Sequence, residues 1–194
     1  MNRPLVVVGL SIALSACAAT PVVNKPSSEE ERVFGGAIHR QDGLVLRYRA
    51  RAPEGMAAFY LGRGFPKTAV DEARQACFIS FYVRNERPDK VWFDLSRWSF
   101  TDRNGQPIRR LTRPHWDQRW ERLKVPMRFR ATFGWTMAPE LRDLHTSEPV
   151  AGNVTLVPVP GPIRVIAEFP TGENRDGPVI RFQFEGLSCP RDPA

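Results

Sequence analysis

The sequence predicts a mainly β domain, an antiparallel sandwich with two or three short helical insertions. Three observations support this prediction. Apolar and polar residues alternate over short segments, turn residues separate those segments, and few stretches show the longer period of a helix. Each such segment buries one face, and two facing sheets bury all of those faces together.

The first 16 residues have the layout of a secretory signal peptide. Arg3 provides a positive charge, Leu5 to Leu14 forms an apolar stretch, and the small residues Ser15 and Ala16 follow. The stretch is shorter than the roughly 20 apolar residues that a membrane-spanning helix needs. We therefore expect residues 1–16 to be cleaved from the chain.

The remaining chain divides by composition into a tether and a domain. Residues 17–32 are rich in Pro, Ser and Glu and lack periodicity, which predicts a flexible tether. Residues 33–194 are expected to form a single β-sandwich domain. Its first strand is "GLVLRYRA", in which Leu44, Leu46 and Tyr48 alternate with residues of the opposite face.

Two short helices and a pair of strands are predicted next. "PEGMAAFYLGRGFP" and "TAVDEARQA" have helical character, with Pro53 at the first turn of the first helix. "CFISFYVRN" is rich in aromatic and β-branched residues and predicts a strand. In "VWFDLSRWSF" the apolar parity changes, so a bulge or bend is expected near Ser96 and Arg97. Asn104-Gly105 predicts a hairpin turn, with "PIRRL" as the returning strand.

The second half contains one more predicted helix and three closing strands. Trp116, Trp120 and Leu123 are spaced as on one face of a helix, which Thr112 can cap. We expect "MRFRATFGWTM" to be extended and "APELRDL" to be a helical turn or loop. The closing strands are "NVTLVPV", "IRVIAEF" and "VIRFQFEGL".

The segment "LSAC", Leu14 to Cys17, resembles the lipobox of bacterial lipoproteins, with an aliphatic residue and two small residues before the cysteine. The resemblance implies a covalent diacylglyceryl or acyl lipid on Cys17, which becomes the mature N-terminus. No other cofactor is expected. Aspartate directly after the cysteine would favour retention in the inner membrane. Ala18 stands at that position, which favours the outer membrane. An ordinary signal peptide with a chance cysteine is the alternative.

Residues from Phe78 to Asn85, followed by "VWFDLSRWSFTDRNG" and "SEPVAGNVTL", resemble immunoglobulin-like domains of bacterial surface lipoproteins. Such domains often show an alternating strand that ends in asparagine, and then a strand that ends in Asp-x-x-Gly. The resemblance spans about residues 77–184 and implies an immunoglobulin-like β-sandwich. It implies no catalytic residue.

With Cys17 acylated, Cys77 and Cys189 remain as an even pair. An oxidising compartment favours a disulfide between them, which would close a loop of 112 residues. Two free buried thiols or a metal site are the alternatives. The chain has no CxxC motif and no histidine near either cysteine in sequence, so metal binding is the least favoured of the three.

Two clusters of residues are candidate binding sites. Trp116 and Trp120, with Arg119 and Arg122, would form an aromatic and basic platform for peptidoglycan or lipopolysaccharide. The alternative is that the tryptophans pack a helix against the sandwich. The second cluster is a possible basic patch, formed by Arg47, Arg49, Arg51, Arg128 and Arg130. The alternative is an exposed strand face whose charges are solvated.

No enzyme signature is present, neither a GxSxG elbow, nor HExxH, nor a phosphate-binding glycine loop. A metal site at His145 and Glu148, or copper binding by Met56, Met127, Met137 and the histidines, is a weak alternative. The formal charge of +7 allows contact with anionic lipids or acidic glycans, and no nucleic-acid motif is present.

The sequence therefore predicts a non-enzymatic lipoprotein, attached by its lipid to the membrane and facing the periplasm. Its domain would bind or support another envelope component, expected to be a protein. A glycan- or lipid-headgroup-binding module is the alternative, and a periplasmic metal carrier or enzyme is a weaker one.

Overall fold

The computed structural model describes residues 35–190, and the predicted signal peptide, Cys17 and the predicted tether lie outside them. Nine strands and four helices are found within the described range. The strands are β1 (Ala37–Gln41), β2 (Leu44–Arg51), β3 (Cys77–Asn85), β4 (Val91–Asp94), β5 (Trp98–Thr101), β6 (Leu141–Leu144), β7 (Pro149–Leu156), β8 (Pro162–Pro170) and β9 (Val179–Ser188). The helices are α1 (Pro53–Leu61), α2 (Lys67–Arg74), α3 (Arg113–Arg122) and α4 (Met127–Thr136).

The first sheet has the strand order β1-β2-β3-β7, and every pair in it is antiparallel. Alternation directs Leu44, Leu46 and Tyr48 of β2 to the inner face, where all three are buried. On β3, Ile79 and Phe81 share that face. The predicted period of two is therefore confirmed for β2, and the strand predicted at "CFISFYVRN" is present as β3.

The second layer pairs β5 with β8 and β8 with β9, while β4 pairs with β6. A single bridge between Val91 and Thr171 joins the start of β4 to the residue that follows β8. The two layers meet through aromatic rings: Tyr48 stacks on Phe184 at 3.9 Å, and Phe81 meets Trp98 edge-on at 4.9 Å. The predicted mainly β, antiparallel sandwich is confirmed.

A short 3-10 turn, Leu95–Arg97, separates β4 from β5 at the position where the apolar parity changes. The Asp94 carboxylate accepts hydrogen bonds from the backbone N–H and the hydroxyl of Ser96. The turn rotates the chain so that Phe93 and Trp98 are both buried. The predicted bend is present.

The disulfide joins Cys77, at the start of β3, to Cys189, directly after β9, with Cα atoms 5.4 Å apart. It links the first sheet to the second layer. A cavity of about 230 Å³ lies beside it, and Arg51 and Arg74 are among the residues that line it.

The four helices form a third layer with its own core, on the outer face of the first sheet. Phe78 of β3 points away from the sandwich into this core, and so does Thr155 of β7. Gly152 of β7 allows the chain after α4 to cross the strand, because a Cβ there would meet Ala138 Cα at 2.5 Å. None of the helices in residues 35–190 is long and apolar enough to span a membrane.

The prediction that residues 127–137 are extended is wrong, because they form α4. The apolar residues there all occupy odd positions, which imitates the period of a strand. In the helix they form two stripes with a spacing of four. Phe129, Phe133 and Met137 face the helical core, and Met127, Ala131 and Trp135 face outward.

Two smaller predictions also need correction. The Asn104-Gly105 turn forms, with Gly105 at φ +77° and Asp102 accepting from the N–H groups of Asn104 and Gln106. The segment "PIRRL" is not a strand, since it makes only isolated bridges as it passes from β5 toward β7. "APELRDL" contains β6 instead of a helical turn.

Candidate functional site

The two tryptophans of the predicted platform lie in the helical core. Trp116 is 1% exposed and Trp120 is 2% exposed. Their rings stack at 5.0 Å, and Phe133 packs against both. The Trp116 Nε1–H donates to the Thr155 hydroxyl at 2.8 Å, and that hydroxyl donates to the Leu111 carbonyl. The platform prediction is wrong for these tryptophans, because neither ring has a free face for a sugar to stack on.

The arginines of the same helix have different environments. Arg119 forms an ion pair with Glu72 of α2 at 3.0 Å, and its guanidinium lies 5.1 Å from the centre of the Trp116 ring. Arg119 therefore ties α3 to α2. Arg122 is exposed, and no carboxylate of residues 35–190 forms an ion pair with it.

His115 lies beside this basic helix surface. Burial, followed by the charges of Arg119, Arg109 and Arg122, lowers the pKa of His115 below its ordinary value of 6.5. Both effects favour the neutral form of the ring. Its Nε2 atom and the Nε1 of Trp120 are buried without a hydrogen-bond partner in the described structure.

The exposed part of the helical layer holds a groove between α3 and α4 with a volume of about 400 Å³. Its floor includes Trp116 and Phe133, and α3 contributes Asp117 and Glu121. The α4 side consists of the outer stripe, which we define as Met127, Ala131 and Trp135.

The outer stripe is unusually exposed for apolar side chains. Trp135 is 85% exposed and Met127 is 71% exposed. Large aromatic side chains are enriched at the centres of protein interfaces, where they fill pockets on the partner. The outer stripe is therefore the strongest binding feature of the described chain. The sequence does contain a signal for this stripe, because residues 127, 131 and 135 are spaced as on one face of a helix. The alternation of apolar and other residues in the same segment conceals that signal.

Two arginines also line the groove. The Arg130 Nε–H donates to the Val125 carbonyl at 2.9 Å, and its Nη1 lies 3.3 Å from the Glu121 carboxylate. Arg113 donates to the Met137 carbonyl at 3.4 Å. Backbone and side-chain partners thus hold both guanidinium groups at the wall of a partly apolar groove.

The helical segment also carries most of the net charge. Residues 109–137 contain eight basic and two acidic residues, a net +6 within a chain of net +7. The lining of the groove itself is balanced, with Arg113 and Arg130 against Asp117 and Glu121, so the excess of positive charge lies in the segment and not in the groove.

The structure does not assemble the five arginines of the predicted basic patch into one site. Arg51 lines the cavity at the disulfide, whereas Arg130 lines the groove. Arg47 lies over the Tyr82 ring at 5.2 Å. These side chains belong to separate surroundings, so the single-patch prediction is wrong.

The residues considered for metal binding also lie apart or have other roles. The Glu148 carboxylate accepts from the backbone N–H of His145 at 3.0 Å and so closes a turn. Met56 and Met137 are buried in the helical core, while Met127 is exposed. Within residues 35–190, no group of three or more His, Cys, Asp or Glu side chains is placed to hold a metal ion.

No family model and no curated protein matches this chain. Several solved structures show a distant likeness. The yjhA protein from Bacillus subtilis is 11% identical with a TM-score of 0.40, covering 68% of this chain and 77% of that one. A DUF4426 family protein from Pseudomonas aeruginosa is 10% identical with a TM-score of 0.35, covering 81% of this chain and 98% of that one.

The ycdA protein from Bacillus subtilis, described as a candidate lipoprotein, is 10% identical with a TM-score of 0.42. The match covers 78% of this chain and 39% of the ycdA chain, so this chain spans well under half of that protein. With TM-scores below 0.5, these likenesses identify neither a shared family nor a function.

Proposed function

We propose that this chain is a lipid-anchored lipoprotein of the bacterial envelope, attached through Cys17 to the outer membrane and facing the periplasm. Its domain is a non-enzymatic module that binds or supports another envelope protein. The lipobox-like "LSAC" supports the anchor. The outer stripe beside the α3–α4 groove supports the binding role, and the 85% exposure of Trp135 is the observation that carries it.

The proposed binding mode follows from the shape and charge of the groove. A partner segment with an apolar side chain would fill the groove over Phe133 and cover Trp135, as in helix-in-groove recognition. Acidic residues on that segment would contact Arg113, which is exposed at the groove, and would compete with Glu121 for Arg130. Because backbone carbonyls already hold Arg113 and Arg130, the two guanidinium groups need little reordering to receive a carboxylate.

The anchor is tested by replacing Cys17 with Ser and fractionating the cells. The wild-type chain is expected in the membrane fraction, and Cys17→Ser in the soluble periplasmic fraction, because one hydroxyl group cannot carry the thioether-linked lipid. Metabolic labelling with a palmitate analogue should mark the wild type alone. Equal membrane recovery of both proteins, with no label on either, would refute the anchor.

The binding surface is tested with a photo-crosslinking amino acid placed at Ala131 in intact cells. Position 131 lies between Met127 and Trp135, so a bound partner is expected to yield one crosslinked product of defined mass. The matched control is the same probe at Val179, which is 46% exposed at the start of β9 on the sandwich. A product of equal yield at both positions, or none at 131, would contradict the proposal.

Glycan binding is a second candidate, favoured by the exposed indole of Trp135 beside Arg113 and Arg130. Such a module would be retained on purified peptidoglycan through Trp135 and would show no protein crosslink at position 131. The two functions therefore give opposite results in the crosslinking experiment.

A further inference from the structure

The two turns that connect the helices meet at one end of the helical layer. The α1–α2 turn reaches α4 through Phe65, whose ring lies 4.9 Å from that of Phe129. Gly64 of the same turn also lies against Phe129. Phe129 belongs to the first turn of α4, directly after the α3–α4 connection. Residues 61–66 and 122–128 therefore form one surface, which we call the helical tip.

The helical tip concentrates exposed apolar side chains. Six large hydrophobic residues are exposed within residues 35–190, and three of them lie at the tip: Leu61, Leu123 and Met127. The other three, Trp135, Leu141 and Val179, lie outside the tip. Such clustering marks a surface that contacts something other than water.

The charge of the tip has one sign. The two turns contain four basic residues and no acidic residue, namely Arg63, Arg122, Lys124 and Arg128. All four are exposed, and none forms an ion pair within residues 35–190. Arg63 and Arg128 lie over the rings of Phe59 and Phe129, at 3.5 and 4.5 Å from the ring centres. Their cationic groups are thereby held at the surface.

Exposed leucine and methionine interleaved with unpaired arginine and lysine fit the boundary of an anionic bilayer. The apolar side chains enter the region between headgroups and acyl chains, and the cations contact lipid phosphates. An acidic protein surface would satisfy the charges. It would not, however, require exposed apolar side chains on two separate turns, which meet through Phe65 and Phe129.

We propose that the helical tip contacts an anionic phospholipid surface and so sets the orientation of the domain on its membrane. The proposed anchor on Cys17 brings the domain to the bilayer, and the helical tip determines which face of the domain lies against the bilayer. A single lipid-facing surface of this kind gives weak binding alone and effective binding when a tether raises its local concentration. The inference thus deepens the proposed function, and its test does not use the anchor.

The test uses the mature chain from residue 17 with Cys17→Ser, which retains every residue of both described cores. Co-sedimentation is measured with vesicles containing phosphatidylglycerol and with vesicles of phosphatidylcholine alone. Binding is expected to the anionic vesicles, to weaken as salt rises, and to be at least tenfold weaker on phosphatidylcholine. No binding to the anionic vesicles would overturn the proposal.

Specificity for the tip is tested with the double variant Lys124→Gln and Arg128→Gln. Each lost charge should weaken binding to anionic vesicles by about fivefold. The matched control, Arg84→Gln with Arg142→Gln, removes two exposed cations from the strands β3 and β6 and should bind as the parent does. Neither variant loses an ion pair, so the melting temperature of the control should be unchanged. That of the tip variant should fall only slightly, because Arg128→Gln removes the contact with the Phe129 ring.

Two outcomes would overturn the assignment to the tip. Equal weakening in both variants would mean that net charge alone attracts the domain to the vesicles. Loss of the protein crosslink at position 131 in the tip variant, with unchanged vesicle binding, would assign the tip to the protein interface. The cell fractionation with full-length Cys17→Ser tests the anchor, and the vesicle experiment tests the tip. Failure of the anchor proposal and failure of the tip proposal are therefore distinguishable.

Discussion

Removing the disulfide between Cys77 and Cys189 is expected to lower the free energy of unfolding by about 4–5 kcal/mol, from the entropy of closing its 112-residue loop. The bridge joins the start of β3 to the end of β9. Without it, the segment of 112 residues between the two cysteines is no longer held as a closed loop in the unfolded chain. A double Cys-to-Ala variant, compared with the oxidised parent in a urea titration, measures the difference.

The parent protein titrated with reductant present provides the control, because it breaks the same bond without changing the sequence. The double variant and the reduced parent should unfold at similar urea concentrations. If the double variant were as stable as the oxidised parent, loop closure by this bond would not stabilise the domain. A parent with two free thiols in the mass spectrum would contradict the bond itself.

Replacing Trp116 with Ala is expected to lower the free energy of unfolding by about 3–5 kcal/mol, because it empties the centre of the helical core. The substitution also removes the Nε1–H that donates to Thr155, and with it a hydrogen bond between α3 and β7. The helical layer should lose order first, since the sandwich has a separate core. Urea unfolding, monitored by near-ultraviolet circular dichroism, measures this loss of order.

Trp135→Ala is the matched control for this prediction. It removes the same side chain from a position that is 85% exposed, so the free energy of unfolding should change by less than about 0.5 kcal/mol. If Trp116→Ala were equally harmless, Trp116 would not contribute to the stability of the helical core.

Most strands could be predicted from the sequence, because a sandwich strand buries one face and polar residues alternate with it. Leu44, Leu46 and Tyr48 on β2 illustrate this, and so do the partners across the sandwich, Phe182 and Phe184 on β9. The bend at Ser96 was also predictable, since the parity of the buried residues changes there. Local pattern is sufficient in these places because the residues of one face form the core of the sandwich and most residues between them are polar.

The pattern failed for α4, which faces the helical core on one side and exposes apolar residues on the other. A helix with two apolar stripes has no single polar face, so the spacing of four within each stripe is hidden by the alternation that the two stripes make together. The odd-numbered apolar residues therefore imitate a strand. The tertiary position of the segment, packed against α3 and beside β7, decides between the two patterns.

The candidate site was missed for the same reason. Trp116 and Trp120 stand out in the sequence because charged residues surround them, yet the core of the helical layer needs both rings. Trp135 lies among apolar residues in the sequence and was not singled out, although it is the exposed one. The neighbours in sequence therefore suggested that Trp116 and Trp120 are the exposed tryptophans and Trp135 is not. The packing of the helices on the first sheet determines which of them are buried.

The outer stripe of α4 is the surface that we propose binds an envelope partner. The most direct measurement compares the photo-crosslink at position 131 in the wild-type background and in Trp135→Ala, with thermal unfolding of both proteins. We expect at least a tenfold loss of crosslinked product at an unchanged melting temperature, because Trp135 is exposed and would anchor the partner. Full retention of the crosslink in Trp135→Ala would contradict it.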